Sequence, residues 1–158
     1  MKNLGYNAST RDEGQLLGKQ GELRSIFIPI SHYADPSRPE QAEGATSVGT
    51  CYHWSVIFAN FLNGCVLHYD STSSGGGVGE YTSAVLAFLG DQFPRPAGVW
   101  SARRADISPQ QSNNDDCGVF TCATASLISL GLDADPALYD IPHFRKLIAI
   151  SLLNKKFL

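Results

Sequence analysis

The chain has 158 residues, of which 43% are hydrophobic, and its formal net charge is −3. These values predict one globular domain and exclude the basic excess that is typical of nucleic-acid-binding proteins. No apolar run reaches the roughly 18 residues of a transmembrane helix, and the N-terminus lacks the apolar core of a signal peptide. We therefore expect a protein of the cytosol or nucleus that binds neither nucleic acid nor membranes.

The first half of the chain predicts three strands after a polar lead-in. Residues 1–24 are polar and glycine-rich, and we expect the folded domain to span residues 25–158. "SIFIPIS" (Ser25 to Ser31) is a short apolar run that predicts a buried strand. After a proline- and glycine-containing loop, "HWSVIFANF" (His53 to Phe61) and "CVLHYD" (Cys65 to Asp70) predict the two strands of a hairpin.

The open end of this hairpin brings His53 and Asp70 near each other. A turn centred between Phe61 and Leu62 would place them directly opposite, whereas a two-residue Asn63-Gly64 turn, typical of tight hairpins, would shift the register by about two pairs. In either register the two side chains lie near the same end of one β-ribbon.

The second half predicts helices with one further strand between them. A glycine-rich loop without a phosphate-binding ending leads into a helix from Glu80 that is predicted to end at Gly90. "AGVWSAR" (Ala97 to Arg103) predicts a strand, and residues 108–115 form a polar loop by composition.

Two more helices are predicted after that loop. "CGVFTCATASLISL" (residues 117–130) has helical spacing of its apolar residues and is expected to end at Gly131, with Asp116 at the N-cap. Residues 142–158 predict an amphipathic helix. Its apolar face is expected to comprise Phe144, Leu147, Ile148, Ser151 and Leu152.

Cys117 lies at the start of a predicted helix, a position at which the backbone can stabilise a nucleophile. A helix N-terminus carries a partial positive charge and unsatisfied N–H groups, which stabilise a thiolate, the nucleophilic form of cysteine. Neighbouring carboxylates oppose this effect, so Asp116 is expected to use its charge in capping the helix. His53 is then the candidate base, and Asp70 is the candidate acceptor for its other ring N–H.

Gln111 is a candidate donor to the oxyanion of such a reaction. It lies six residues before Cys117, in a loop that can fold back so that its amide and the Cys117 N–H both face the developing charge. The spacings of cysteine and histidine match no zinc motif, so no metal is predicted, and the cysteines are expected to be free thiols. We interpret the remaining members of both residue types as structural: Cys51, Cys65, Cys122, His32, His68 and His143.

Three blocks of sequence resemble the signature of one protein family. They are "HW" at 53–54, "HYDS" at 68–71 and "QQSNNDDCGVFTC" at 110–122. In this order and at these spacings they resemble the Ulp/sentrin-specific cysteine proteases, which cleave ubiquitin-like modifiers after a terminal Gly-Gly. The "HYDS" block, with "AFLG" at 87–90, is more similar to the deneddylase branch than to the SUMO branch.

The resemblance implies an α+β fold of the papain-like, Ulp type, with a central mixed sheet flanked by helices and the nucleophile at a helix N-terminus. It implies His53 as general base, Asp70 as the acid that orients it, Cys117 as nucleophile and Gln111 as oxyanion donor. Trp54 matches the aromatic wall of a narrow tunnel for the Gly-Gly tail. The implied partner is a ubiquitin-like modifier, the neddylation modifier before SUMO or ubiquitin. No cofactor is implied, and we expect a monomer.

One departure from the family pattern keeps two other functions open. Family members usually have a further N-terminal segment with a Trp-Leu-Asn type motif, which the sequence before Ile26 lacks. A chain without that part of the groove would be a catalytically impaired module that binds ubiquitin-like proteins. The other alternative is an acyltransferase with the same triad, but such enzymes usually carry Glu where this chain has Asp70.

Overall fold

A computed structural model describes residues 23–33, 51–72, 80–93 and 99–155 of the chain. Within these ranges, one four-stranded sheet is combined with three α-helices and a short 3-10 helix. The α+β class predicted from the sequence is thus confirmed. The strands are β1 (Ser25–Tyr33), β2 (Cys51–Asn60), β3 (Cys65–Tyr69) and β4 (Ser101–Arg104), the α-helices are α1 (Glu80–Gln92), α2 (Cys117–Ser129) and α3 (Ile141–Asn154), and the 3-10 helix is Pro136–Leu138.

The sheet is mixed, and its strands follow the chain in the order β1-β2-β3-β4. The first three strands pair antiparallel, whereas β4 runs parallel to β3. Parallel neighbours require a crossover connection, and here the crossover contains α1. Strand β2 lies between β1 and β3; its first residues pair with β1, and its pairing with β3 begins at Val56.

The β2–β3 hairpin turns over residues 61–64, rather than over Asn63-Gly64 alone as a tight turn would require. Asn60 pairs with Cys65 across the end of the hairpin, so the register lies between the two that the sequence allowed. Gly64 has a φ of +66°, a left-handed conformation that glycine adopts without steric cost. The longer turn accommodates the extra residues and still brings the two strands together.

Helix α1 covers one face of the sheet and builds the main core. The prediction that it ends at Gly90 is wrong, because the helix continues to Gln92. The N–H of Phe93 still bonds to the carbonyl of Leu89 at 2.8 Å, and both side chains are buried, so packing outweighs the tendency of glycine to end a helix. The buried residues of this core are Ile57, Ala59, Val66, Val85, Leu89, Phe93 and Trp100.

Helix α2 packs against β2, and its end is set by glycine as predicted. Gly131 has a φ of +77°, and the N–H groups of Gly131 and Leu132 bond to the carbonyls of Ile128 and Leu127, both at 3.0 Å. These are the two bonds of a Schellman motif. The position at which α2 ends is therefore set by hydrogen bonds among neighbouring residues.

Helix α3 packs on α2 through a second, smaller core. Phe144 is buried there with Ala123 and Leu127, and the helix begins where the Asp140 carboxylate accepts a bond from the backbone N–H of His143 at 3.0 Å. The prediction that Leu152 belongs to the packed apolar face is wrong, because this residue is 74% exposed. The helical pattern is thus correct in its first turns, where a partner helix covers it.

The limits of strand β4 also differ from the prediction. Strand β4 begins at Ser101 and ends at Arg104, later than the predicted Ala97–Arg103, and residues 94–98 lie outside the described part of the chain. The lead-in at 1–24 and the loops at 34–49 and 73–79 also fall almost wholly outside it. Within the described ranges, no helix combines the length and apolarity needed to cross a membrane.

Candidate active site

His53 and Asp70 meet at the open end of the β2–β3 hairpin. The β2–β3 ladder ends with Val56 opposite Tyr69. Extended by one pair, this register sets Ser55 opposite Asp70, so that His53 and Asp70 are diagonal neighbours on one face of the sheet. His53 Nε2 lies 2.7 Å from Asp70 Oδ1, and the two residues are only 8% and 5% exposed. The proximity predicted from the hairpin is therefore a direct, buried hydrogen bond.

Three donors converge on one oxygen of Asp70. Besides His53 Nε2, the backbone N–H and the hydroxyl of Thr72 each donate to Oδ1 at 2.9 Å. Burial raises the pKa of Asp70, but the hydrogen bonds from His53 and Thr72 outweigh it and lower the pKa from 3.8 to about 2. Asp70 is thus ionised at neutral pH and accepts only. Nε2 of His53 must carry the hydrogen, and Nδ1 is left as the nitrogen that exchanges a proton.

The backbone of Asp70 is held by Ser108 and Gln110, two loop residues that sequence reasoning did not assign to the site. The Ser108 hydroxyl donates to the Asp70 carbonyl at 2.7 Å and accepts from the Asp70 N–H at 3.1 Å. Gln110 Nε2 donates to the same carbonyl at 3.1 Å and to the Ser108 carbonyl at 2.7 Å. The sequence predicts a polar loop at residues 108–115 and places only Gln111 of it at the site, so no signal pointed to Ser108 or Gln110.

Cys117 is the first residue of α2 and is 8% exposed. Helix α2 packs against β2, the strand that carries His53, and a helix N-terminus has free N–H groups and a partial positive charge. The predicted position of Cys117 at the start of a helix is confirmed. Its catalytic role, like those of His53, Asp70 and Gln111, stays a prediction.

The expected cap by the Asp116 carboxylate is wrong. Asp116 precedes the helix with φ −95° and ψ −1°, a helical rather than extended backbone, and its side chain makes no capping bond. Its carboxylate instead accepts from Asn113 Nδ2 at 2.6 Å and from the guanidinium of Arg145 on α3. The charge beside Cys117 is therefore paired with a cation, and the N–H groups of the helix end are not covered by this side chain. Sequence reasoning missed Arg145, because nothing local connects it to Asp116.

Gln111 is held in the loop in front of α2 by both ends of its amide. The Ser71 hydroxyl donates to Oε1 at 2.7 Å, and Nε2 donates to the Asn113 carbonyl at 2.5 Å. An amide nitrogen carries two hydrogens, and this contact occupies one of them. In the adjacent Gln110, by contrast, Nε2 donates to two carbonyls. The geometry therefore favours Gln111 over Gln110 as a donor to an oxyanion.

The other sequence candidates are placed as follows. Trp54 adjoins His53 on β2, points to the opposite face, and is 38% exposed; its tunnel role stays a prediction. Cys65, Cys117 and Cys122 are free thiols. In the described part of the chain, no cluster of three or more metal-ligating side chains is present.

A family model described as "Ulp1 protease family, C-terminal catalytic domain" matches residues 48–155. The chain belongs to the Ulp1 protease family. This match includes all five candidate residues, and it confirms the family that the sequence blocks resembled.

Curated relatives agree with this family at low identity. Sentrin-specific protease 2 of Homo sapiens is 26% identical over 120 residues, and that of Pongo abelii is 27% identical over 115 residues. Each alignment covers 67% of this chain but 19% of the relative. The chain thus spans about a fifth of the length of the curated relatives it matches.

Solved structures support the fold. The structure described as SUMO protease Ulp1 with its catalytic cysteine oxidised to a sulfenic acid has a TM-score of 0.63 at 20% identity, covering 90% of this chain and 60% of that one. The Chaetomium thermophilum Ulp1-like SUMO protease catalytic domain has a TM-score of 0.56 at 27% identity, covering 87% and 48%. The predicted Ulp-type fold is confirmed.

Proposed function

We propose that this chain is a thiol-dependent peptidase that cleaves after the C-terminal Gly-Gly of a ubiquitin-like modifier. The observation that carries the proposal is the buried hydrogen bond between His53 and the ionised Asp70. It sets the proton on Nε2 and leaves Nδ1 to act as a base. The helix that begins at Cys117 packs against the same strand, within the region that matches the catalytic domain of the family.

The reaction is an acyl transfer in two halves. His53 Nδ1 takes the proton of the Cys117 thiol, and the sulfur attacks the carbonyl carbon of the terminal glycine. The oxyanion accepts from the Cys117 N–H and from Gln111 Nε2. As the intermediate collapses, the C–N bond breaks, His53 returns its proton to the leaving amine, and a thioester remains.

The second half regenerates the thiol. His53 removes a proton from water, and the resulting oxygen nucleophile attacks the thioester carbonyl. The C–S bond then breaks, the His53 imidazolium returns its proton to the Cys117 sulfur, and the released carboxylic acid loses its proton to solvent as the carboxylate. The imidazolium forms in both halves, and the negative charge of Asp70 at 2.7 Å stabilises it each time. The exposed indole of Trp54 is the proposed tunnel wall, which would admit glycine and reject any residue with a Cβ.

SUMO is the modifier that we propose first. The "HYDS" and "AFLG" blocks favour the neddylation modifier, but together they comprise only eight residues. The relatives named sentrin-specific protease 2, and the structure named as a SUMO protease at 27% identity, share similarity over most of the chain. The wider similarity has more weight, since short motifs occur by chance more often.

A panel of modifier probes tests the proposal. SUMO, the neddylation modifier and ubiquitin, each with a C-terminal electrophile, are incubated with wild-type protein, Cys117→Ala and Cys122→Ala. Cys122 is a matched control because it is an exposed thiol in the same helix. We expect an adduct with the SUMO probe in the wild type and in Cys122→Ala, and none in Cys117→Ala.

Other results would redirect the proposal. An adduct in Cys117→Ala would remove the nucleophile assignment. A preference for the neddylation probe would favour the hypothesis that the chain is a deneddylase. Binding of an unmodified modifier without any adduct would favour the catalytically impaired binding module.

A further inference from the structure

Polar side chains from three neighbouring strands share the face of the sheet that carries His53. His32 on β1 pairs directly with His53, and His68 on β3 pairs with a residue four positions along β2 from His53. Opposed residues of antiparallel strands, and residues two or four apart in one strand, point to the same face. Ser55, which is 1% exposed, lies between these histidines. The mechanism above uses His53 alone, so His32 and His68 require a separate explanation.

Ser55 joins His32 to His68. Its hydroxyl oxygen lies 2.8 Å from Nε2 of His32 and 2.8 Å from Nε2 of His68. A hydroxyl can donate to one imidazole and accept from the other, so one short side chain holds both rings. Because His68 is itself only 8% exposed, the bridge anchors His32 to the buried part of the sheet.

The ring of His32 packs against the ring of His53. Their centroids lie 5.1 Å apart with the planes at 47°, and His32 also makes an edge-on contact at 4.9 Å with Tyr81 of α1. The register of β1 and β2 shifts immediately after this pair, between His32 and Tyr33. Irregularities of this kind re-aim side chains and are frequent beside active sites.

His32 is uncharged when His53 becomes charged. Burial, followed by the proximity of His53, lowers the pKa of His32 from 6.5 to about 4, against the opposing effect of Asp70 and with a smaller contribution from His68. Burial also lowers the pKa of His68. An imidazolium at His53 therefore meets neutral rings on this face, and the negative charge of Asp70.

We propose that His32 is a positioning residue for His53, which it holds in the orientation for proton exchange through the Ser55 bridge to His68. The hydrogen bond to Asp70 fixes one edge of the His53 imidazole but permits rotation about that bond. Contact with the His32 ring limits this rotation. The inference rests on the proposed function for the catalytic meaning of that orientation, whereas the orientation itself is a property of the folded chain.

Three variants separate the two contacts of His32. His32→Ala removes both the ring and the bond to Ser55. His32→Phe keeps an aromatic ring against His53 but loses that bond, and His32→Gln places an amide nitrogen near the position of Nε2 but loses the ring. The matched control is His143→Ala, a histidine on the exposed surface of α3. Each variant is checked for folding by its thermal transition.

The kinetic experiment uses cleavage of a SUMO C-terminal fluorogenic amide. We expect His32→Ala to lower kcat at least about tenfold with KM changed by less than about threefold, because misplacement of a reacting group acts on the chemical step. His32→Phe and His32→Gln should each recover part of kcat, and His143→Ala should match the wild type. A folded His32→Ala with wild-type kcat, or a change confined to KM, overturns the proposal.

A second readout does not depend on activity. Nitrogen-15 spectra of the imidazole groups report the tautomer and the mobility of His53. We expect a single, ordered Nε2–H form in the wild type, and in His32→Ala the same tautomer with a motionally averaged or exchange-broadened signal, because the bond to Asp70 remains. An unchanged His53 signal in that variant overturns the proposal even if the protein cleaves nothing. If the wild type showed no Cys117-dependent cleavage while His32→Ala altered the His53 signal as expected, only the proposed function would be refuted.

Discussion

Replacing Asp70 with asparagine measures how much of the His53 function depends on charge. All three donors converge on Oδ1, so an asparagine with its carbonyl oxygen at that position still accepts them and still holds His53 as the Nε2–H tautomer. What is lost is the negative charge. A hydrogen bond to a charged group contributes about 1.5–3 kcal/mol, against about 0.5–1.5 kcal/mol for a neutral pair. We therefore expect the activation free energy to rise by about 1–2 kcal/mol, which lowers kcat/KM roughly 5- to 30-fold.

Asp70→Ala should be more severe, because it leaves three donors without an acceptor at a site that is 5% exposed in the folded chain. Each unsatisfied buried group costs about 1–3 kcal/mol, so we expect a lower free energy of unfolding as well as slower cleavage. Asp115→Asn, the same change at an exposed carboxylate near Cys117, is the matched control and should change neither quantity.

The assay is kcat/KM on a modifier C-terminal fluorogenic amide, with urea unfolding of each variant. A loss of about 10⁴-fold in a stably folded Asp70→Asn would mean that the amide nitrogen faces His53 and imposes the wrong tautomer, as occurs in other triads. A loss below about twofold would mean that the charge of Asp70 does not stabilise the imidazolium. Either result would refute the reasoning from the three converging donors.

The remaining predictions concern the oxyanion, the acid beside the nucleophile and the response to pH. Gln111→Ala should lower kcat roughly 10²–10³-fold on the same substrate, and equal kcat in variant and wild type would remove this amide from the oxyanion site. Arg145→Ala leaves the Asp116 carboxylate without its cation, and we expect urea unfolding to show a loss of about 1–2 kcal/mol, between the values for exposed and buried pairs; an unchanged midpoint would contradict this. The pKa of His32 is lowered from 6.5 to about 4 in the folded chain, so this histidine becomes protonated at a higher pH in the unfolded chain than in the folded one. The free energy of unfolding should therefore decrease as the pH falls from 6.5 to 4. The pKa of Asp70, lowered from 3.8 to about 2, should extend the loss to about pH 2. Thermal unfolding against pH should show a shallower slope above pH 4 for His32→Gln, and superimposable curves would contradict the assignment.

Features that depend on neighbouring residues could be predicted from the sequence. Helix α2 begins at Cys117 and is terminated before the left-handed Gly131, because apolar spacing and a glycine cap act within a few residues. The approach of His53 to Asp70 followed from the hairpin, since any short turn between β2 and β3 brings their open ends together. Gly90 shows where local preference fails, because burial of Leu89 and Phe93 outweighs it.

Features that depend on residues distant in the chain were decided by the tertiary structure. Asp116 is of a residue type that commonly caps helices, yet its carboxylate bonds to Arg145. Arg145 reaches it only because α3 packs on α2. His32 looks like any structural histidine until the pairing of β1 with β2 sets it against His53. The physical reason is the same in both cases. Hydrogen bonds and ring contacts act over a few ångströms, so their partners are set by the packing of whole elements, whereas helix ends and turns are set by the chain within a few residues.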